Sequence, residues 1–392
     1  MVKSQMILPF KTKTMPNFFE FFAGGGMARA GLGDSWNCTF ANDFSEHKAN
    51  SYRTNWGDDH LLVEDINKIS TSVLPGHADL AWASFPCQDL SLAGNGAGLK
   101  GERSGTFWGF WKLIKKLKTQ NRKPSMIVLE NVYGTLTSHD GKDFEAIAKC
   151  VAGDGYNFGA VVVDAVHFVP QSRPRVFIIC VDESLAIPDG IICERASPAW
   201  HPDKVICAYN ALPKKVKNKW KWWKMPEPTQ QLVTLDDIIE DEPQGVEWNT
   251  QKETQRILSM MTPLNREKVI TAQNSGRVQV GTIYKRTREG IQRAEVRFDG
   301  IAGCLRTPSG GSSRQTIMVV DGHQIRSRLI SPREAARLMG LPENYILPTK
   351  YNEAYHLVGD GVVVPVVAHI NQNILLPTFN LNVQPQVQLN VA

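Results

Sequence analysis

Between residues 17 and 181 the chain alternates short apolar runs with longer amphipathic stretches, and this rhythm constrains its fold more than any other feature. The runs predict strands over 18–22, 38–42, 80–83, 126–130, 160–164 and 176–181, and the stretches between predict helices over 28–32, 45–56, 107–119 and 143–153. Strands joined through helices lie parallel in one sheet with helices on both faces, so the expected fold is α/β with a doubly wound, mostly parallel sheet. Such sheets collect ligands and reactive groups at the carboxyl ends of their strands, which makes the residues following each run the informative ones.

After about residue 183 the chain becomes irregular, Pro-containing and rich in Trp and Lys, which predicts a second, smaller domain. Ser331-Pro332-Arg333-Glu334 then supplies a helix N-cap, a proline at the first helical position and an acidic first turn, with Gly340 as the stop. The apolar run 362–367, despite Pro365, is expected to rejoin the first domain, and the polar tail after Thr378 to be loosely held. With 392 residues, 42% of them hydrophobic, the chain has room for both domains. The seven cysteines form no CxxC pair and are odd in number, which argues against a zinc site or a disulfide framework and for a reducing, cytoplasmic setting. No uninterrupted apolar run is long enough to span a bilayer, so no membrane partner is expected. The net charge of +5 permits a polyanionic partner without requiring one.

Five strand ends carry chemistry. Phe22-Ala23-Gly24-Gly25-Gly26 opens the first helix and allows close approach by an adenosine-type cofactor, although its spacing is not that of a dinucleotide site. Asp43 ends the second run where a carboxylate binds ribose hydroxyls, Phe44 follows it as a contact for adenine, and Asp65 is a third candidate. Cys87 follows the run 78–83 through Ser84-Phe85-Pro86; alone it reads sooner as a small core residue, and as a nucleophile only in company. Glu130 brings a carboxylate to the same edge, and Gln171-Ser172-Arg173-Pro174-Arg175 brings two guanidinium groups suited to phosphate or a carbonyl oxygen.

In chain order these segments resemble the DNA (cytosine-5)-methyltransferase family, of the prokaryotic or phage modification kind. The resemblance rests on eight blocks: Phe22-x-Gly24-x-Gly26, Asp43-Phe44, Asp65-Ile66, Pro86-Cys87-Gln88, Glu130-Asn131-Val132, Gln171-x-Arg173-x-Arg175, the segment from Ser331 to Gly340, and Gly359-Asp360-Gly361-Val362. Two positions depart from the pattern. Asp360 stands where the family has Asn, and Cys304-Leu305 stands where it commonly has Thr-Leu.

The resemblance implies a Rossmann-like, S-adenosylmethionine-dependent catalytic domain over 1–183, a target-recognition domain over 184–324, and a segment over 325–392 returning to the first. It implies cofactor contacts at Phe22, Gly24, Gly26, Asp43, Phe44, Asp65, Ile66, Pro86, Asp360 and Val362, with S-adenosylhomocysteine as the product. Cys87 is expected to add to cytosine C6 while Glu130 holds the ring edge and supplies a proton; Arg173 is expected to bind O2, with Arg175 beside it. The base must leave the duplex, at a cost of roughly a few kcal/mol. The Gly-rich segment 88–106, with Gln88, Ser91 and Arg103, is expected to close over it. Lys219 and Lys221, within a lysine run interleaved with Trp220, Trp222 and Trp223, suit phosphates; Arg286 and Arg314 suit guanine edges. The expected partner is double-stranded DNA, modified at one short sequence by a cytoplasmic monomer in a bacterial or phage-infected cell, with any cognate endonuclease acting separately. RNA as substrate and a binding-only role are the rival readings.

Overall fold

The rhythm of the first 180 residues resolves into seven strands, β1 (Asn17–Phe21), β2 (Asn37–Asp43), β3 (Leu61–Val63), β4 (Leu80–Ala83), β5 (Met126–Val132), β6 (Tyr156–Asp164) and β7 (Pro174–Asp182). The computed structural model describes residues 15–86, 105–228, 233–288, 290–306 and 314–383. All six expected strands are present, and β3, too short to register as an apolar run, adds an edge. The strands are ordered β3-β2-β1-β4-β5-β7-β6 in one sheet. All neighbours are parallel except β7, which runs against both β5 and β6. The four expected helices are α1 (Met27–Leu32), α2 (Glu46–Trp56), α3 (Thr106–Thr119) and α4 (Lys142–Gly153).

Alternate residues of each strand feed two separate cores. Phe18, Trp82 and Val128 join the core on the α1 side, whereas Phe19, Phe21, Ile127 and Leu129 join the core shared with α3 and α4. Covering both faces explains why these strands read as continuous apolar runs.

The Trp- and Lys-rich stretch extends this first unit. It contains β8 (Ile192–Cys193), α5 (Asp203–Ala211), α6 (Lys214–Lys217), β9 (Trp222–Trp223) and, further on, α7 (Leu235–Ile238). Trp220 bridges to Phe158 of β6, and the Trp223 indole donates to the Ile179 carbonyl of β7 at 3.2 Å. Burying each large aromatic stabilises by about 2–3 kcal/mol, against up to about 1 kcal/mol for an exposed ion pair. The indoles therefore anchor this stretch to the sheet, and its lysines follow.

The segment from residue 251 to residue 329 is more regular than its charge-rich sequence implies. Helices α8 (Gln251–Ser259) and α9 (Pro263–Gln273) cover one face of an antiparallel sheet ordered β11-β10-β12-β13, formed by β10 (Gln279–Arg288), β11 (Ile291–Arg297), β12 (Thr316–Asp321) and β13 (Gln324–Leu329). Ile283, Ala294, Val296, Met318 and Val320 meet Ile257, Met261 and Val269 in a third core. The alternation of β10 and β11 is masked in the sequence because Lys285, Arg286, Arg288, Arg293 and Arg297 interrupt it.

The chain then returns through α10 (Pro332–Arg337), α11 (Tyr351–Asp360), α12 (Val364–Ile370) and α13 (Leu376–Val383). The Ser331–Glu334 capping box forms as expected. Arg328 of β13 makes a fully buried bidentate pair with Glu334 (2.6 and 2.7 Å), tying the antiparallel sheet to α10. The apolar run rejoins the first unit as α12, packed on α1. The tail is held further than its polarity implies: Phe379 is buried beside Trp36, and Asn382 exchanges two hydrogen bonds with the Ala186 backbone. Tyr351–Val383 is long and apolar enough to cross a membrane by composition, with mean hydropathy 1.4, although no single run signals it. More than half of that window is buried inside the fold, which accounts for its apolar character.

Candidate active site

Because β7 runs against β5, its first residues lie where β5 ends, and the paired register sets Arg175 opposite Val132 and Phe177 opposite Glu130. Glu130 is buried, and Arg175 Nε approaches its Oε1 to 3.4 Å. Asn131 donates from Nδ2 to the Phe85 carbonyl at 3.2 Å while its Oδ1 accepts from Val132 N and Thr135 Oγ1. This brace fixes the turn after β4, whose last described residue, Pro86, lies beside β5. Cys87 itself, with Gln88, Ser91 and Arg103, lies outside the described residues.

The two arginines divide their work differently from the sequence expectation. Arg173 is buried, and its guanidinium donates to Cys304 Sγ (3.2 Å) and to the carbonyls of Leu305 (3.1 Å), Gly359 (2.9 Å) and Gly361 (2.8 Å). With those donors engaged, Arg173 clamps distant segments together. Arg175 is placed differently, paired with Glu130 at the carboxyl edge. Gln171 completes the clamp, donating to the Leu338 carbonyl at 2.7 Å and accepting from Leu305 N. Cys304, which marked a departure from the family pattern, lies within this cluster. Burial pushes its thiol up, but Arg173 and Arg175 more than offset burial and bring it to about 7.

On the other side of β4, β1 is followed by Phe22, a non-glycine residue held at φ 58°, the kind of strained backbone that persists where surroundings over-determine it. The glycine turn after it is braced from three sides. Asp43 accepts from Gly24 N at 2.9 Å and from Ser45 N at 2.9 Å, while Tyr345 Oη and Trp56 Nε1 both donate to the Gly25 carbonyl. Around Gly24 the direction a Cβ would take is open, with no atom within 4 Å. Phe44 stands 72% exposed beside it. Asp65 caps the short turn after β3 through Asn67 N at 2.9 Å. An open glycine turn, carboxylates for hydroxyls and an uncovered aromatic ring fit an adenosine-bearing cofactor. Two expected contacts do not present side chains here: Ile66 is buried against the α3 face at Gly109, and Val362 is buried in the core on the α1 side. Ile66 lies in the turn after β3, and Val362 in the link between α11 and α12.

The family described as C-5 cytosine-specific DNA methylase matches residues 16–376. The chain belongs to that family. It is 26% identical over 352 residues to the Type II methyltransferase M.BsuFI of Bacillus subtilis, spanning 89% of this chain and 70% of that protein. It is also 26% identical over 400 residues to the Type II methyltransferase M.HpaII of Haemophilus parainfluenzae, spanning 95% and 94%. Among solved structures, the S. pombe Dnmt2 methyltransferase aligns with a TM-score of 0.58 at 18% identity, covering 93% of this chain and 99% of that one; this likeness concerns the fold. The methylase is therefore a DNA (cytosine-5)-methyltransferase that takes its methyl group from S-adenosylmethionine.

The methylase's basic residues fall into two groups. On the face of β10 and β11 opposite α8 and α9, Thr282, Tyr284 and Arg286 stand across from Arg297, Glu295 and Arg293 in turn. Thr282, on the same face, donates to the Ile301 carbonyl at 3.3 Å, joining it to the segment that leads through Ala302 and Cys304 to the arginine clamp. Arg286 is exposed and meets the half-buried Glu295 at only 3.7 Å, so the pair contributes little and exchanges readily for another anion. Arg314 is placed otherwise, donating to Asn352 at 2.5 Å with its guanidinium over the Tyr351 ring. Lys219 and Lys221 do not join either site. Lys219 pairs with Glu183, six residues beyond Phe177 along β7 and so roughly 20 Å from the Glu130 edge at about 3.3 Å per residue. The Lys221 backbone joins Phe158 of β6, nearer that same far edge.

Proposed function

We propose that this chain methylates cytosine within one short sequence of double-stranded DNA, as the modification activity of a restriction-modification system or another form of DNA protection. The observation that carries the chemistry is the Glu130–Arg175 pair, 3.4 Å apart at the carboxyl edge and beside the braced turn that leads to Cys87. In this reading the Cys87 thiolate adds to C6 of a flipped-out cytosine, forming a C–S bond as Glu130 gives a proton to N3. Arg175 holds O2 and, through its pairing with Glu130, orients the carboxyl group. S-adenosylmethionine, when bound, supplies an electrophilic methyl group; the glycine turn with Asp43, Phe44 and Asp65 would hold it. After C5 has gained the methyl group and lost its proton, Cys87 leaves by elimination and the aromatic ring is restored.

The target-recognition unit in this reading is narrower than 184–324. It comprises α8, α9 and the antiparallel sheet, with Tyr284, Arg286, Arg293 and Arg297 on the reading face, while 184–240 belongs with the catalytic unit. The names of the curated relatives, Type II methyltransferases, support the restriction-modification setting. A monomer suffices for one base at a time, a cognate endonuclease would act separately, and the enzyme would work in the cytoplasm. Base-resolution mapping of 5-methylcytosine, after incubating unmethylated genomic DNA with protein and S-adenosylmethionine, tests the proposal. Marks confined to one short motif are expected; marks on transfer RNA in place of DNA would overturn it.

A further inference from the structure

Asp360, the position at which this chain departs from the family asparagine, is the C-terminal residue of α11 and carries an exposed carboxylate. Its backbone is fixed on both sides, because Arg173 donates to the carbonyls of Gly359 and Gly361. Gly361 is pressed onto α1: a Cβ there would lie 2.0 Å from the Met27 sulfur, so a larger residue would have to displace that side chain. Met27 directly follows the glycine turn, and Asp360 is thereby held beside it. A second carboxylate near Asp43 would be repulsive to any anion, yet here it is answered. Lys48, in the first turn of α2, reaches across to place Nζ 2.8 Å from Asp360 Oδ2. Burial works against the ammonium charge, but Asp360 and Asp43 outweigh it and hold Lys48 above the usual lysine range. An ammonium has three donors, and both partners of this pair keep solvent-facing surface, 27% and 41% of their side chains.

We propose that the Lys48–Asp360 pair recognises the amino-acid end of the cofactor, Lys48 taking its α-carboxylate and Asp360 its α-ammonium group. This rests on the placement of the cofactor along the glycine turn. The logic is complementarity: the arm is a zwitterion, and the pair presents one cation and one anion at fixed separation, so each charge of the arm meets its opposite. In place of a neutral asparagine, this chain uses two residues 312 positions apart that make sense only together.

Calorimetric titration of the purified full-length protein with three ligands tests this. S-adenosylmethionine carries both charges of the arm, decarboxylated S-adenosylmethionine lacks the carboxylate, and 5′-methylthioadenosine lacks the arm. Wild type is expected to prefer S-adenosylmethionine over the decarboxylated form by roughly tenfold or more, the size of one charge-assisted hydrogen bond. Lys48→Met should erase most of that preference while leaving methylthioadenosine within about twofold, since only the arm's partner is lost. Adding Asp360→Asn to Lys48→Met removes the ammonium's partner as well and should weaken S-adenosylmethionine and its decarboxylated form further, again leaving methylthioadenosine within about twofold; a double variant that binds both as tightly as Lys48→Met does would overturn the part given to Asp360. Equal weakening of all three ligands by Lys48→Met would reduce the pair to a brace between α2 and α11, and no change in any of them would equally overturn the proposal. If folded wild-type protein bound none of the three, the cofactor placement would fall first, and this inference with it.

Discussion

The carboxyl edge of the parallel sheet and the open face of the antiparallel sheet both carry arginines, but they hold them in opposite ways. At the edge, Arg173 is buried with four acceptors, Asp43 holds two backbone amides, and Asn131 ties Glu130's strand to the turn after β4. On the antiparallel sheet, the exposed Arg286 leans on a half-buried Glu295 at 3.7 Å and has no buried partner among the described residues. Bond-making needs groups fixed before the substrate arrives. Sequence reading needs groups able to trade partners, and exposed pairs of this kind are weak enough to be traded.

The sharpest test of that contrast is Glu130→Ala. Methylation rate should fall by about 10²- to 10⁴-fold, the usual loss for a general acid, with DNA and S-adenosylmethionine affinities nearly unchanged; a proportional loss of binding would make Glu130 an anchor.

Next in size is the pair of arginines. Arg173→Ala should cost about 3 kcal/mol or more of unfolding free energy in urea, because buried acceptors lose their donor at about 1–3 kcal/mol each. Arg175→Ala should lower kcat at much smaller cost to stability. The reverse outcome would restore the role the sequence assigns to Arg173.

On the reading face the effects should be smaller and should appear as specificity. Arg286→Ala is expected to reduce discrimination between target and single-mismatch duplexes by about 1–3 kcal/mol if it contacts a base edge, whereas Lys219→Ala with Lys221→Ala should change DNA affinity by less than about twofold. A steep loss of salt-dependent binding in the lysine variant would return the Trp–Lys stretch to the DNA interface.

The smallest effect on function concerns Glu20, beneath the glycine turn. Burial raises its carboxyl to about 8, against lowering contributions from Arg29 and Tyr52. A folded pKa above the ordinary 4.5 means this group's contribution to stability is fully present below about pH 4.5 and is lost as pH rises through 8. Glu20→Gln should therefore flatten the fall in stability between pH 5 and pH 8 measured by urea unfolding; an unchanged pH slope would show that Glu20 does not titrate in that window.

How much of this was legible in the sequence depends on range. The strands, the glycine turn, Asp43 and Glu130 are set by residues a few positions apart, so local pattern places them. The division of labour between Arg173 and Arg175 is decided by carbonyls at 305, 359 and 361, well over a hundred residues away. Lys48 gives no signal until Asp360 is seen beside it. The Trp–Lys stretch misleads because lysines are visible as charges, while the strands β6 and β7 that bury Trp220 and Trp223 are not. Cys304 could have been found, since its departure from Thr was visible, but its arginine neighbours could not.

The central claim is that Cys87 forms the covalent bond to a cytosine on which Glu130 and Arg175 also act. A duplex carrying 5-fluorocytosine at the target position blocks the elimination step, so incubation with S-adenosylmethionine should yield a denaturation-resistant complex whose cross-linked peptide contains Cys87. No such complex from wild type, or an undiminished one from Cys87→Ser, would contradict the account.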